Sequence, residues 1–570
     1  MHAIMISLST LVLSTAVSPL SSIIVTILAI SGTWFLRNAY INRSRVRSLR
    51  AKGIPIASHS LIFGHLRILF DYVRAHPPDA SIYILHDWLA ENYRDYFLEP
   101  LNGLPPVVYL DLWPVAPAFA LVYDAVAAMQ FTRVNNLPKF AAAEEYILPL
   151  TSNLDIITAK GQLWKSWRTR LNPGFSSRNI LTLLPNLIEE VSVFVDVLQG
   201  LSGGANGWGP VFPLLERTMN LTFDIICRAT LDTRLHEQTN ESSSPLKIAL
   251  FDQIRLMSQA GIRRWMPSYW PSVAKNNQAL RKQIHPHIVS KLQQDPSSSK
   301  ALTIIDLAIK HDKDKVNGSF EVPPSVSNDA TFIETLISNV KAFLFAGHDT
   351  TASTICFMMK CLQDNPACLA NLRSEHDTVV GFDPLRAASV LKEDPHLLNE
   401  LPYTIGVIKE TLRLYPIAAT IRQGTPGSYV TASGSTIRYP LEGFAPWVAI
   451  SRIQRDPSYW ARPNEFLPER WAVGEDDPLY PSKDAWIPFS LGPRNCIGMQ
   501  LAIVELELVC VLTARRFDIR EAWEEWDKKL GVKATPTHTV NGHRLYAAGI
   551  GPVRPKDGMA VQVRDRHIST

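Results

Sequence analysis

The ten residues from Phe489 to Gly498, FSLGPRNCIG, decide how the rest of the chain reads. They set two glycines, a proline, an arginine and a cysteine in a loop. The residues that follow, Met499-Gln500-Leu501-Ala502 and on through Glu505 and Glu507, carry a helical pattern. Cys496 therefore sits just ahead of a helix, where unpaired backbone N–H groups and the positive end of the helix dipole favour a thiolate. Gly492 and Gly498 let the backbone approach a flat ligand, Phe489 can pack beside the sulfur, and Arg494 can meet a carboxylate. The other five cysteines read as core: Cys356, Cys361 and Cys368 have helix-like spacing in an apolar stretch, and Cys227 and Cys510 lie among aliphatic residues. With His348 the first three could be imagined as a zinc site, but they lack a tight C-x-x-C knuckle.

Working outward, three further stretches carry residues that packing alone does not require. Lys341 to Thr351 reads KAFLFAGHDTT in the middle of a long helical pattern, where Gly347 costs about 1 kcal/mol relative to alanine and Asp349 and Thr350 put a carboxylate and a hydroxyl in an apolar run. Lys409 to Pro416 reads KETLRLYP, with Glu410 and Arg413 on one helical face, and Phe466 to Trp471 reads FLPERW, with Arg470. Gly161 to Ser176 reads GQLWKSWRTRLNPGFS, with Trp164 four residues before Arg168.

The loop around Cys496 resembles the haem-binding loop of the cytochrome P-450 family, whose pattern Phe-x-x-Gly-x-Arg-x-Cys-x-Gly is matched at every fixed position. The likeness spans roughly residues 53 to 565, with Trp164/Arg168, Thr350, Glu410/Arg413, Arg470 and Cys496 in the family's order. It implies a single mainly α haem domain with a minor β component, haem b as cofactor and Cys496 as the axial iron ligand. It implies that Gly347 makes room for dioxygen, Thr350 hydrogen-bonds the activated oxygen and Asp349 relays protons, with His348 a lining or surface residue. Glu410, Arg413 and Arg470 are implied to form a buried cluster behind the cysteine loop, and Trp164, Arg168 and Arg422 to reach the haem propionates. Before Arg455-Asp-Pro-x-x-Trp460 many members carry His where this chain has Gln454, a change expected to weaken one local hydrogen bond.

The implied activity is that of a monooxygenase inserting one oxygen atom from O2 into an apolar small molecule. No G-x-G-x-x-G follows a strand-like run, so electrons are expected from a partner, an NADPH–cytochrome P-450 reductase. Phe140, Ile147, Leu150, Leu154, Phe343, Phe345 and Ile417, Ala418, Ala419 and Thr420 are candidate pocket residues. A haem-thiolate isomerase or dehydratase is the nearest rival, and the intact Asp349-Thr350 pair disfavours it. A non-catalytic haem carrier is a second rival, against which the full distal motif speaks. The long anchor and FLPERW resemble fungal members of specialised metabolism.

Composition and the N-terminus place this body. The 570 residues are 46% hydrophobic and 19% charged, which excludes a disordered chain, and 40 Pro and 28 Gly follow no collagen-like period. Residues 1–36 contain no Asp, Glu, Lys or Arg, and Leu20 to Leu36 is nearly all apolar, with Ile4 to Val17 also apolar and Pro19 between them. Read as a helix, Leu20 to Leu36 spans roughly 26 Å, close to a thin bilayer's hydrocarbon core. Arg37, Arg43, Arg45, Arg47, Arg50 and Lys52 follow and hold the downstream chain in the cytosol by the positive-inside rule. The expectation is a single-pass anchor in the endoplasmic reticulum membrane over residues 1–36, retained rather than cleaved after Ala29 or Ser31. A basic and Pro/Gly linker over 37–64 and a catalytic domain over 65–570 complete it. The net charge is +4, six of it in that basic cluster, so the remaining chain is near −2 and offers no nucleic-acid surface. No oligomer is implied.

Long helical patterns run over Leu181–Leu198, Leu246–Gly261, Ala274–Gln293, Ala330–Gln363, Leu401–Leu414 and Ile497–Arg515. Strand-like runs cover Val107–Leu112, Ala118–Tyr123 and Tyr429–Tyr439. Glu237–Pro245, Asp295–Lys300 and His311–Asn328 read as polar surface loops.

Overall fold

The computed structural model describes residues 19–98, 100–203, 207–293, 302–318, 330–531, 539–549 and 551–566. The apolar stretch Ile4 to Val17 and the loop Asp295 to Lys300 lie outside the described residues. Helix α1 (Pro19–Arg50) is followed by α2 (Leu66–Ala75), α3 (Ile82–Asn92), α4 (Gly161–Leu171), α5 (Ser177–Leu201) and α6 (Leu214–Leu231). Then come α7 (Pro245–Ser258), α8 (Tyr269–Gln293), α9 (Ile304–Gly318), α10 (Ala330–Asp364), α11 (Pro402–Leu414) and α12 (Met499–Thr513). Several begin where a hydroxyl can take an orphan N–H: Ser81 caps α3, Ser176 caps α5 and Ser244 caps α7.

Helix α10 is apolar on nearly every side and is correspondingly central, packed along α6 and touched by α8, α11 and α12. The helical core gathers Leu187, Phe223, Ile355 and Leu508. A second core lies under the small sheets and includes Val107, Ala120, Phe444 and Trp460. Strands β1 (Val107–Leu110) and β2 (Phe119–Val122) pair antiparallel, Val107 opposite Val122, while β2 runs parallel to β6 (Ala445–Val448). A second sheet has the order β3 (Phe212–Pro213), β10 (Ala560–Asp565), β7 (Phe517–Glu521). Two short hairpins remain, β4/β5 (Tyr429–Val430 with Tyr439–Pro440) and β8/β9 (Ala547–Ala548 with Arg554–Pro555).

Four readings of the sequence need correction. Tyr429–Tyr439 is not one strand, because Gly434, at φ +66°, turns the chain back and leaves two residues on each side. Residues 311–318 are helical rather than loop, since α9 starts in a reciprocal cap in which Asp306 N–H donates to Thr303 Oγ1 (3.2 Å) and Thr303 N–H to Asp306 Oδ2 (2.9 Å). Residues 319–328 lie outside the described residues. In Glu237–Pro245 the first two residues are buried, their N–H groups donating to the Asp224 carboxylate at 3.1 and 3.2 Å.

The last correction concerns the linker over 37–64. Helix α1 runs without a break to Arg50, and its final turns belong to the body: Val46 and Leu49 are buried in the second core. Arg43 ion-pairs with the buried Asp111 and donates to the carbonyls of Ile62 (2.9 Å) and Trp113 (3.0 Å). The part of the helix beyond residue 22 has an 18-residue window of mean hydropathy 1.3 with none of it buried, long and apolar enough to cross a membrane.

Candidate active site

Cys496 is held by a closed loop. Its N–H donates to Phe489 O (2.9 Å), Asn495 N–H donates to Gly492 O (3.0 Å), and Gly498 is the residue before α12. Cys496 is the one exposed cysteine among the described residues, while Cys227, Cys356, Cys361, Cys368 and Cys510 are buried. Burial pushes the Cys356 and Cys361 thiols up to about 12, so they are inert packing. Crowding also raises the Cys496 thiol, but the Gly498 N–H, Arg168 and Lys139 pull it the other way. The helix-end expectation of a lowered thiol is thus outweighed by desolvation in the protein alone. A metal cation would reverse that balance by deprotonating the thiol outright.

Of the loop glycines, Gly492 has a packing reason within the protein itself. Gly492 sits at φ +78°, and a Cβ there would lie 2.6 Å from Thr132 O and 2.7 Å from the Arg133 Cα, so the close approach is to the chain after β2. At Gly498 a Cβ would stand 3.9 Å from both Cys496 Sγ and the Phe175 ring, which is ordinary contact. Phe489 is half-buried and packs edge-on to Trp486 at 6.0 Å.

The distal helix changes character within two turns. From Thr335 to Leu362 α10 is buried except at Phe345, Ala346, Gly347 and Thr350, which are half-buried. Thr350 Oγ1 donates to Ala346 O at 2.9 Å, which keeps its hydroxyl on that open side. Gly347 has a packing reason of its own: a Cβ would lie 3.1 Å from Ile226 Cγ1, so the missing side chain admits helix α6. His348 is not at the surface but buried, with its ring against Phe223 and Phe251. Asp349 is gripped by an arginine that the sequence did not single out. Arg554 donates from Nε to Oδ1 (2.8 Å) and from Nη2 to Oδ2 (3.0 Å).

Two contacts fix this helix beside the cysteine loop. Phe175 lies next to Gly498 and packs edge-on to Phe343 at 5.1 Å, and Glu505, nine residues past Cys496, accepts a hydrogen bond from Thr351. Phe343 is buried in the helical core. Phe345 and Phe140 stay half-buried, with Phe140 6.0 Å from Phe119. Ile417 is buried, its carbonyl taken by Val553 N–H (2.9 Å); Ala418 is exposed; Ala419 N–H donates to Tyr83 Oη (3.2 Å); Thr420 Oγ1 donates to Ser490 Oγ (2.7 Å) in the cysteine loop. Ile147 and Leu150 are buried. A cavity of about 1240 Å³ lies elsewhere: Tyr83, Phe357, Tyr415 and Arg455 line it, and no residue of 343–351 or of the cysteine loop does.

Behind the loop, Glu410, Arg413 and Arg470 come together with side chains fully buried. Glu410 Oε1 accepts from Arg413 Nη2 (2.8 Å), Arg470 Nε (3.0 Å) and Leu467 N–H (3.1 Å), and Oε2 from Arg413 Nε (2.9 Å) and Trp471 Nε1 (3.1 Å). Gln454 does not weaken this region. Its Nε2 donates to Leu412 O (3.0 Å) and Arg413 O (2.9 Å), and its Oε1 accepts from Ile487 N–H (3.0 Å).

The cations nearest the loop lack an anion. Arg422 is 0% exposed, yet none of its three guanidinium nitrogens has a partner, and burial with the Arg494 charge pushes it down to about 10. Arg494 lies over the Trp164 ring at 4.4 Å, donates from Nη2 to Ala159 O (3.0 Å) and leaves Nη1 unpartnered. Lys139, paired backbone to backbone with Arg422, is pushed down to about 7 by burial and by Arg422 and Arg494. An unpaired buried guanidinium is costly, so a ligand bearing carboxylates fits here. Arg168 grips the loop itself, donating from Nη1 to Asn495 O (2.9 Å) and from Nη2 to Asn495 Oδ1 (2.8 Å). Lys139 and Arg554 were missed: the one adjoins Phe140 with no motif of its own, and the only signal for the other is a Gly/Pro turn, GIGPVRP, ahead of a strand.

Comparison with known proteins agrees with this arrangement. A family model described as Cytochrome P450 matches residues 121–536. "Cytochrome P450 monooxygenase polC" of Polytolypa hystricis is 34% identical over 541 residues, 94% of each chain, and "Cytochrome P450 monooxygenase acrF" of Aspergillus aculeatus is 27% identical, covering 82% of this chain and 95% of its own. Among solved structures, a cytochrome P450DA heme domain superposes with a TM-score of 0.66 at 19% identity, covering 90% of this chain and 97% of that one.

Proposed function

The chain belongs to the cytochrome P450 family of monooxygenases, and from that premise we propose that it inserts one oxygen atom of O2 into an apolar small molecule with electrons from an NADPH–cytochrome P450 reductase. The family brings a haem-thiolate cofactor, which we take to be haem b. When bound it supplies reductive activation of O2, chemistry that no amino-acid side chain offers. Cys496 would hold its iron through the thiolate, and Arg422, Lys139 and the free Nη1 of Arg494 would receive its propionates. Each of those cations is buried or half-buried, and Arg422 and Arg494 leave guanidinium nitrogens without a partner, which supports the assignment.

The observation that carries the reading is the open stretch of α10 held beside the cysteine loop. In a helix buried over Thr335 to Leu362, the four open positions include Thr350, with Asp349 next to it. Thr350 holds a hydroxyl on that side and Asp349 moves protons from solvent toward it. The apolar Phe345, Ala346 and Phe140 keep bulk water from the reacting side. The polar Asp349-Thr350 pair favours oxygen activation over the isomerase alternative, which has no need of proton delivery.

We further place α1 in the endoplasmic reticulum membrane with the body in the cytosol. The fungal relatives named above support a role in specialised metabolism. In a system reconstituted with NADPH–cytochrome P450 reductase, Thr350→Ala should keep haem and substrate binding yet divert reducing equivalents into hydrogen peroxide. An unchanged ratio of product to NADPH in that variant would refute the role of the hydroxyl. Adding candidate substrates and following the haem Soret band identifies the ligand.

A further inference from the structure

We propose that Arg554 is a positioning residue that clasps Asp349 in a resting pose and so limits how fast this carboxylate can serve Thr350. The inference rests on the proton-relay reading of Asp349. Both carboxylate oxygens are occupied by the Arg554 fork, at 2.8 and 3.0 Å. The Asp349 side chain is 11% exposed whereas that of Arg554 is 42% exposed, so the fork draws the carboxylate toward solvent. The neighbouring Thr350 hydroxyl is spent on Ala346 O (2.9 Å). In this arrangement Asp349 is in contact with neither Thr350 nor the reacting side through any hydrogen bond.

The clasp is fixed from behind by its backbone. Ala548 pairs with Arg554 across the β8/β9 hairpin, and Val553 N–H donates to Ile417 O (2.9 Å) in the stretch beside the site. The hairpin is itself tied to the chain before α3. Ser81 N–H donates to Ala547 O (2.9 Å), Gly549 N–H to Asp79 O (2.9 Å), and Lys556 Nζ and Tyr546 Oη each reach the Asp79 carboxylate at 2.7 Å. The hairpin therefore holds the Arg554 backbone at the solvent side, and a carboxylate that turns toward Thr350 leaves the fork. Once out of the fork the carboxylate takes a proton from water at the exposed end, and in the turned pose it passes that proton toward Thr350, returning to the carboxylate form with no electron moving. A charge-assisted fork favours the resting pose by about tenfold over an unclasped one.

The test uses the holoenzyme reconstituted with an NADPH–cytochrome P450 reductase, with O2 as the probe, in H2O and D2O. Arg554→Gln should raise oxygen consumption by up to about tenfold, lower its solvent isotope effect, and in a crystal structure show Asp349 turned away from position 554. Arg554→Lys, which keeps the charge but not the fork, should fall between. A merely structural role for Arg554 would lower haem content or rate and leave the isotope effect where it was. Unchanged or slower turnover with an unchanged isotope effect would overturn the clasp. If Arg554→Gln fails to hold haem, Arg554→Lys decides by the same two readouts. Asp349→Asn separates the two claims: should that variant behave as the parent, the relay reading itself fails. If Asp349→Asn is slow while Arg554→Gln changes nothing, the relay stands and the clasp falls. In the Asp349→Asn background Arg554→Gln should add nothing, as residues acting through one another require.

Discussion

Replacing Glu410 by alanine should remove the haem-loaded protein while the haem ligand and every distal residue stay in place. The carboxylate accepts five hydrogen bonds, and both arginines it serves are fully buried. Breaking a buried pair from one side costs about 3–5 kcal/mol, because the other charge is left behind. Arg413 would still donate to Gln454 O (2.7 Å), Pro463 O (2.6 Å) and Glu465 O (3.0 Å), and Arg470 to Ala461 O (3.1 Å). Those carbonyls share the orphaned charge and place the loss near the lower figure, about 3 kcal/mol. Against a total stability of about 5–15 kcal/mol that is a large fraction. The assay is haem content per chain together with the urea midpoint by circular dichroism, where a fall on the order of 1 M is expected. Glu465→Ala is the control, since the exposed Arg462–Glu465 pair is a surface contact and only the Glu465 carbonyl serves the cluster. Parental haem content and midpoint in Glu410→Ala would refute the view that this cluster supports the cysteine loop.

Cys496→Ala should abolish the red-shifted Soret band of the reduced carbon monoxide complex, whereas Cys356→Ala and Cys510→Ala should keep it; the reverse would move the iron ligand elsewhere. Arg422→Met should stabilise the haem-free chain, by relieving an unpaired buried charge, and at the same time speed haem loss; thermal melting of the haem-free form and haem transfer to an acceptor protein measure the two. Burial, with Glu375 adding, pushes Glu507 up to about 8. Between about pH 4.5 and 8 the folded chain then holds a proton that the unfolded chain has lost, so stability falls as pH rises through this window, by up to about 1.4 kcal/mol per unit. Glu507→Gln should flatten that slope, and equal slopes in both chains would contradict the buried, neutral carboxyl.

What was legible in the sequence is what local chemistry fixes. The cysteine loop could be read because the loop closure, the adjoining helix and the residue types all fall within ten positions. Glu410 and Arg413 are neighbours on one helical turn, and only Arg470 had to be supplied from 57 residues beyond Arg413 by resemblance. The helices of the body were legible from periodicity, and α10 most of all, because a helix buried on all sides needs an apolar run that solvent-facing helices do not. Misreadings arose where the deciding partner is distant. Gly347 reads as space for a ligand, and the sequence could not show that Ile226 of α6 also packs against it. Arg168 has a partner the sequence could not show, its fork matching the Asn495 carbonyl and side chain. Gln454 looked like a weakened histidine, but an amide can donate twice and accept once, and it does all three.

Arg554 shows the same limit from the other side. Nothing near it in sequence marks it, because its partner Asp349 lies 205 residues away and the hairpin that aims it is two residues wide on each strand. The same holds for Lys139 and Arg422, 283 positions apart and joined by one backbone bridge. A motif reports residues that must be adjacent in the chain to do their work. The residues that bring charge to those motifs can arrive from any strand that passes, so a charged side chain at a motif's edge is found by asking which buried charge the fold leaves unpaired. Applied to the described residues, that question finds Arg422 with three free nitrogens close to the cysteine loop, and the cofactor's carboxylates are the chemistry that would satisfy them.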